Sequence, residues 1–129
     1  MEITPEKDKK FSLVKRAKSF SHAGRGVKIY FKTTHNAWLH AIIFVLVIAL
    51  GLYFQISRIE WMFLFLTSGF VFVSEAFNSA IEIDIDLTSP EYHPYARDTK
   101  DIAAGAVLIS AITALIVGLF IFLPHLYAI

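Results

Sequence analysis

Cysteine is absent from the 129-residue chain, which excludes disulfides, thiolate metal sites and thiol catalysis. Familiar nucleotide loops are missing too. There is no G-x-x-x-x-G-K-S/T sequence, and Gly24-Arg25-Gly26 does not extend to G-x-G-x-x-G. Any nucleotide chemistry would therefore run on an uncommon fold. No short apolar stretch with a small-residue cleavage site comes before the first long apolar run, so no cleaved leader is expected. Internal repeats and low-complexity tracts are also lacking. Charge is scarce: 18% of residues are charged and 56% hydrophobic, too apolar for an ordinary soluble domain of this size. No nucleic-acid partner is expected, and residues 1–129 read as one membrane domain.

What the chain has is three long apolar runs, at residues 37–54 (broken only by His40), 61–80 and 102–123. Each approaches the roughly 20 residues that a spanning helix needs. Membrane helices are expected over 37–54, 61–87 and 96–123. The second should run on until Thr88-Ser89-Pro90 stops it, and Pro124 should end the third. Nine of the twelve Lys and Arg residues precede the first run, and only Arg58 lies in the link after it. The positive-inside rule then puts the N-terminus in the cytoplasm and, after three spans, the C-terminus outside. Residues 1–33 interleave those cations with Phe11, Leu13, Val14, Phe20, Val27 and Phe31, a pattern suited to a basic amphipathic helix lying on the membrane surface. Gly24 and Gly26 should bend or break it. Ala103, Ala104, Gly105 and Ala106 form a small-residue patch that favours close helix contact.

The most informative feature is a polar stripe on the second span. At 100° per residue Asn78 falls about 60° from Glu75, and Glu82 and Asp86 each about 20° from it. Asp84 points about 180° away and reads as a solvated charge. An acid near the hydrocarbon centre costs roughly 2.5–3.5 kcal/mol on insertion scales, so it needs a reason. Glu75 lies at about head-group depth, where a desolvated carboxylate suits proton abstraction from a lipid hydroxyl. Glu82, with Asp86, Glu91 and Asp101, offers hard oxygen ligands for Mg²⁺ shared with nucleotide phosphates. Lys100 and Arg97 could offset phosphate charge. His40, early in the first span, reads as a hydrogen-bonded interhelical histidine. So few helices offer little interior for these polar groups, which favours self-association. From the residues alone, a lipid-modifying enzyme and a proton- or cation-handling membrane subunit both stay open.

The run Glu75-Ala76-Phe77-Asn78-Ser79-Ala80-Ile81-Glu82, then Ser89-Pro90-Glu91-Tyr92-His93-Pro94, then Lys100-Asp101-Ile102-Ala103-Ala104-Gly105-Ala106-Val107 resembles the bacterial diacylglycerol kinase family, which includes undecaprenol kinases. Most of the chain shares the resemblance. It implies a homotrimer of three-span protomers with an N-terminal surface helix in the bacterial plasma (inner) membrane, active sites between subunits, ATP as donor and Mg²⁺ as cofactor. It further implies Glu75 as the general base and Glu82 as metal ligand. Asn78 and Ala104 would lie at the lipid site, and Arg16, His22, Glu82, Glu91, Tyr92, His93, Lys100 and Asp101 at the nucleotide. The loop and small-residue segment look closer to the undecaprenol kinases than to diacylglycerol-specific members. One departure stands out. Thr34-His35-Asn36 occupies the place of a glutamate-x-Asn sequence whose glutamate binds metal in the family, and Trp38 stands where relatives commonly carry Arg. Thr is a poor Mg²⁺ ligand and His suits transition metals better. The alternative is therefore a catalytically impaired or non-enzymatic trimeric scaffold of the same fold.

Overall fold

The computed structural model describes residues 11–128, which form four helices: α1 (Leu13–Thr33), α2 (His35–Phe54), α3 (Arg58–Thr88) and α4 (Pro94–Tyr127). The last three are each long and apolar enough to cross a membrane. α3 packs chiefly on α4, with α2 against α3 and α1 against α2. At 1.5 Å per residue the 31 residues of α3 span roughly 46 Å, against a hydrocarbon core of about 30 Å. Part of α3 must therefore stand beyond the bilayer, and its polar final turns, from Glu82 to Thr88, are the part least suited to hydrocarbon.

Local chemistry sets each boundary. Ser12 caps α1, its hydroxyl accepting from Lys15 N–H. At the start of α3, Ser57 Oγ accepts from Glu60 N–H at 3.2 Å while Glu60 Oε2 accepts from Ser57 N–H at 2.7 Å. This reciprocal capping box satisfies two donors that would otherwise be orphaned. α2 ends at Gln55, the one non-glycine residue at positive φ (50°) among the described residues, where the Gln55 and Ile56 amides bond Leu52 and Gly51 carbonyls. The chain turns there into a small core of Ile56, Leu64 and Ile121, joined by Trp61 and Phe54. His125 of α4 closes this end, its Nε2 lying 3.3 Å from Glu60. At the opposite end Trp38 Nε1 donates to Phe31 O at 2.8 Å, and the two rings meet edge to face, clasping α1 to α2 across the break at Thr34.

Several boundaries differ from the sequence expectations. α1 runs unbroken through Gly24 and Gly26, where a bend or break was expected; the helix is continuous on both sides, and two glycines cost less than abandoning the flanking hydrogen bonds. α2 starts two residues before Ala37, because His35 and Asn36 are as free to turn helically as the apolar residues behind them. α4 starts at Pro94, a favoured first helical position, behind His93, whose side chain accepts from Tyr95 N–H. It also continues past Pro124 to Tyr127. A proline this close to the end removes one hydrogen bond and no more, and Ala128 N–H still reaches Pro124 O at 3.1 Å. Residues 1–10 of the expected surface segment lie outside the described residues.

Two consequences can be tested by thermal unfolding in detergent. A Cβ at Gly51 would stand 2.6 Å from Trp61 Cη2 and 3.0 Å from Ile56 Cδ1, so Gly51→Ala should destabilise by about 1–3 kcal/mol. Ser57→Ala should cost about 1 kcal/mol through loss of the cap.

Candidate functional site

Three helices converge on Glu75 at the α1 end of the bundle. Its side chain is 2% exposed and, with Ser110, is one of the largest fully buried side chains. Among the described residues its hydrogen-bond partner is His40 of α2, with Nε2 at 3.1 Å from Oε1. Tyr30, the buried residue of α1, lies close enough for Glu75 to act on it. Burial first, and the negative charge of Glu75 second, push its phenol above the ordinary tyrosine range. Its oxygen is buried and, among the described residues, has no hydrogen-bond partner. Next to this group the Thr34 and Ser79 hydroxyls pair at 2.7 Å, joining the α1–α2 break to α3. The Ser74 and Ser110 hydroxyl oxygens lie 2.6 Å apart and join α3 to α4. Polar atoms in a membrane helix that find one another in this way avoid the cost of facing hydrocarbon unpaired.

The stripe continues along α3. Asn78 Nδ2 donates to Glu82 Oε1 at 3.4 Å, whereas Asn78 Oδ1 is buried and, among the described residues, unpartnered. One turn further, Asp86 pairs with Lys100 of α4. The helical stripe is thus real, but its members divide into three environments: Glu75 buried with a histidine, Asn78 with Glu82, and Asp86 with a lysine. Asp84 is exposed, as its opposite facing required.

Between the ends of α3 and α4 lies a cavity of about 260 Å³ whose lining includes Asp86, Glu91, Tyr92, His93, Lys100 and Asp101. The structure therefore gathers the loop and α4 candidates in one place, together with Arg97 and Asp86. Arg97 reaches Tyr92 Oη at 3.2 Å and pairs with the adjacent Asp98. Glu82 does not line this cavity, since it stands one turn nearer the membrane than Asp86. Arg16 and His22 are exposed on α1 and do not line it either; Arg16 instead sits 5.4 Å above the Phe11 ring. Ala104 is exposed while its neighbour Ala103 is buried, so Ala103 makes the close contact within the chain and Ala104 presents an outer face.

One combination expected from the sequence is not assembled. Among the described residues no three carboxylate or imidazole groups come together as a metal site, so Glu82, Asp86, Glu91 and Asp101 do not form a four-acid cluster within one chain. Asp86 is engaged by Lys100, and Glu91 is held out on the exposed loop.

A second, larger cavity of about 420 Å³ runs between α2, α3 and α4 through the apolar part of the bundle. Its walls include Phe44, Val47, Leu64, Val71 and Leu115, and His40 is on its rim. His40 thus separates an apolar channel from a buried carboxylate. That pairing escaped the sequence reading. Its signal was available: His40 is the lone polar break in the first run, three residues from its start, and Glu75 lies five residues from the end of the next, antiparallel run, so the two fall at a similar depth and each could have been assigned to the other.

Comparison with known proteins fits this geometry. A family model described as prokaryotic diacylglycerol kinase matches residues 21–122. The chain is 43% identical over 120 residues to the undecaprenol kinase of Bacillus subtilis (strain 168), covering 93% of this chain and 98% of that protein. It is 41% identical over 109 residues to a diacylglycerol kinase of Synechocystis, covering 84% of this chain and 62% of the relative. With the diacylglycerol kinase of Escherichia coli (strain K12) the identity is 28% over 101 residues, 73% of this chain and 83% of the relative. A match over most of the chain, with a relative aligned across nearly its whole length, shows that this protein belongs to the prokaryotic diacylglycerol kinase family, a family of membrane lipid kinases.

Proposed function

We propose that this chain transfers the terminal phosphate of ATP to a membrane lipid alcohol at the cytoplasmic interface, with undecaprenol favoured over diacylglycerol. The observation that carries this reading is Glu75, a buried carboxylate bonded to the His40 that lines an apolar cavity, and about 16 Å along the same helix face from the Asp86 that lines a polar pocket suited to a nucleotide. The preference for undecaprenol rests on the near full-length match to the Bacillus subtilis enzyme of that name. In this reading Glu75 takes the proton of the lipid hydroxyl, the alcohol oxygen attacks the terminal phosphorus, and ADP leaves. The cavity along α2 to α4 accommodates hydrocarbon, and the exposed Ala104 with Asn78 borders the lipid head. Lys100 neutralises phosphate charge after exchanging Asp86 for it, and Glu91, Tyr92, His93 and Asp101 enclose the nucleotide. Arg16 and His22 would reach it from a neighbouring protomer of a homotrimer. The basic N-terminal segment sets the orientation, with N-terminus inside and C-terminus outside.

The donor set fits Mg²⁺. Glu82 supplies a carboxylate, and the adjacent Asn78 Oδ1 is a hard oxygen left without a partner. Magnesium commonly takes one or two carboxylates and completes its shell with water and substrate phosphates. These two residues would hold it, and when bound it would offset charge on the transferring phosphate. Thr34 favours the second reading, a weakened enzyme or a scaffold, because its hydroxyl is committed to Ser79 and it brings no charge.

Phosphate transfer by the purified protein in mixed micelles, with undecaprenol and diacylglycerol offered separately, tests the function. Glu75→Gln should lower kcat by about 10²–10⁴-fold, and ion flux into liposomes without ATP should be absent. Activity that survives in Glu75→Gln would remove Glu75 as the base. Thr34→Glu should lower the Mg²⁺ concentration needed for half-maximal rate several-fold; an unchanged Mg²⁺ titration would mean that position 34 lies outside the metal site.

A further inference from the structure

We propose that His40 is a positioning residue for the transfer reaction: it anchors Glu75 through Oε1, so that Oε2 is the oxygen offered to the lipid hydroxyl. This deepens the kinase reading above and rests on it.

A glutamate's terminal torsion is broad and roughly two-fold, so an unanchored carboxylate spreads its oxygens over many orientations. Glu75 is almost wholly buried, and solvent does little to order it. Its hydrogen bond among the described residues comes from another helix, with His40 Nε2 3.1 Å from Oε1. A carboxylate that is to act as a base must be ionised and can then only accept, so in the base-competent form Nε2 is the donor of this contact. Such a bond fixes both the oxygen that is used and the imidazole tautomer, and among the described residues Oε2 makes no hydrogen bond.

The surroundings make His40 the group suited to this task. From α1, Tyr30 faces Glu75, but its hydroxyl makes no bond to it. On α4 the buried Ser110 bonds Ser74 rather than Glu75. On α3 itself the next carboxylate, Glu82, is two turns away and is held by Asn78. His40 also lines the apolar cavity, so a lipid seated there has its polar end beside the His40–Glu75 pair. A histidine serving only to join α2 to α3 would need no carboxylate for its partner; a serine or backbone carbonyl would do.

The test compares kcat and KM for ATP and for the lipid in wild type, Glu75→Gln, His40→Leu and His40→Gln. Leucine fills the space without a donor, whereas glutamine places an amide N–H close to the position of Nε2. His40→Leu should lower kcat by roughly 10–100-fold, the scale of a misplaced catalytic group, and leave both KM values within about two-fold. His40→Gln should recover most of that loss. If His40→Leu does not fold, His40→Asn replaces it, with similar polarity but too short a reach, and should behave as the defective variant. Equal rates for the Gln variant and the Leu or Asn variant, or a loss that appears only in KM, would overturn the positioning role while leaving Glu75→Gln inactive and the kinase reading intact. A wild-type protein that phosphorylates neither alcohol would overturn the kinase reading and this proposal together.

Discussion

A carboxylate enclosed by hydrocarbon is the constraint around which this bundle is arranged. Leaving Glu75 alone would cost several kcal/mol, because a buried charge without a partner keeps most of its desolvation penalty. α2 must therefore approach α3 closely enough for His40 to reach Oε1. α1 must turn at Thr34 so that Tyr30 closes over the same point. The clasp of Trp38 on the Phe31 carbonyl holds that turn, and the Thr34–Ser79 pair ties it to the helix that bears Glu75. Much of the packing at this end of the molecule serves to seat one side chain.

The opposite end is held by different means. Ile56, Leu64 and Ile121 form an apolar core, the Ser57–Glu60 capping box starts α3, and His125 meets Glu60. Gly51 lets α2 approach Trp61 more closely than any side chain would permit. Apolar and polar packing are thus segregated along the bundle: close apolar packing at the end where α2 turns into α3, and paired polar groups at the end where α1 and the α3–α4 link gather. Between them the spans are lightly packed, and large side chains such as Phe120 and Leu66 face outward at 76% and 70% exposure. Such surfaces are at home against lipid tails or a neighbouring helix and need no partner within the chain.

The features legible in the sequence are those governed by local periodicity. Apolar runs of the right length gave three spans, and the spacing of Glu75, Asn78, Glu82 and Asp86 gave a common helix face. Less legible was anything decided by contact between helices. That Asp86 belongs to Lys100, fourteen residues away, and that Glu75 belongs to His40 depend on how α2, α3 and α4 are placed side by side. Single-residue rules also misjudged Gly24, Gly26 and Pro124, because helix continuation on both sides, or proximity to a helix end, outweighed each local penalty. Ala103 and Ala104 show the same limit: a small-residue patch announces close packing, but only the structure says that Ala103 is the one buried.

The unbroken run of α3 from Arg58 to Thr88 has a chemical consequence under the proposed reading. Glu75 and Glu82 are seven residues apart, roughly 10 Å along the axis, with Asn78 between them at roughly 4.5 Å. A general base works at about 3 Å from the hydroxyl it deprotonates, and reacting atoms must approach within about 3–3.5 Å. The transferred phosphorus then falls about 6 Å above Glu75 if the line of attack follows the helix, level with the interval between Asn78 and Glu82. One rigid helix can therefore present the base to the alcohol and the oxygen ligands to the phosphate without a loop having to close between them. It also explains why the two acids differ so sharply in exposure: the lower one must keep water from the hydroxyl, and the upper one must admit a nucleotide.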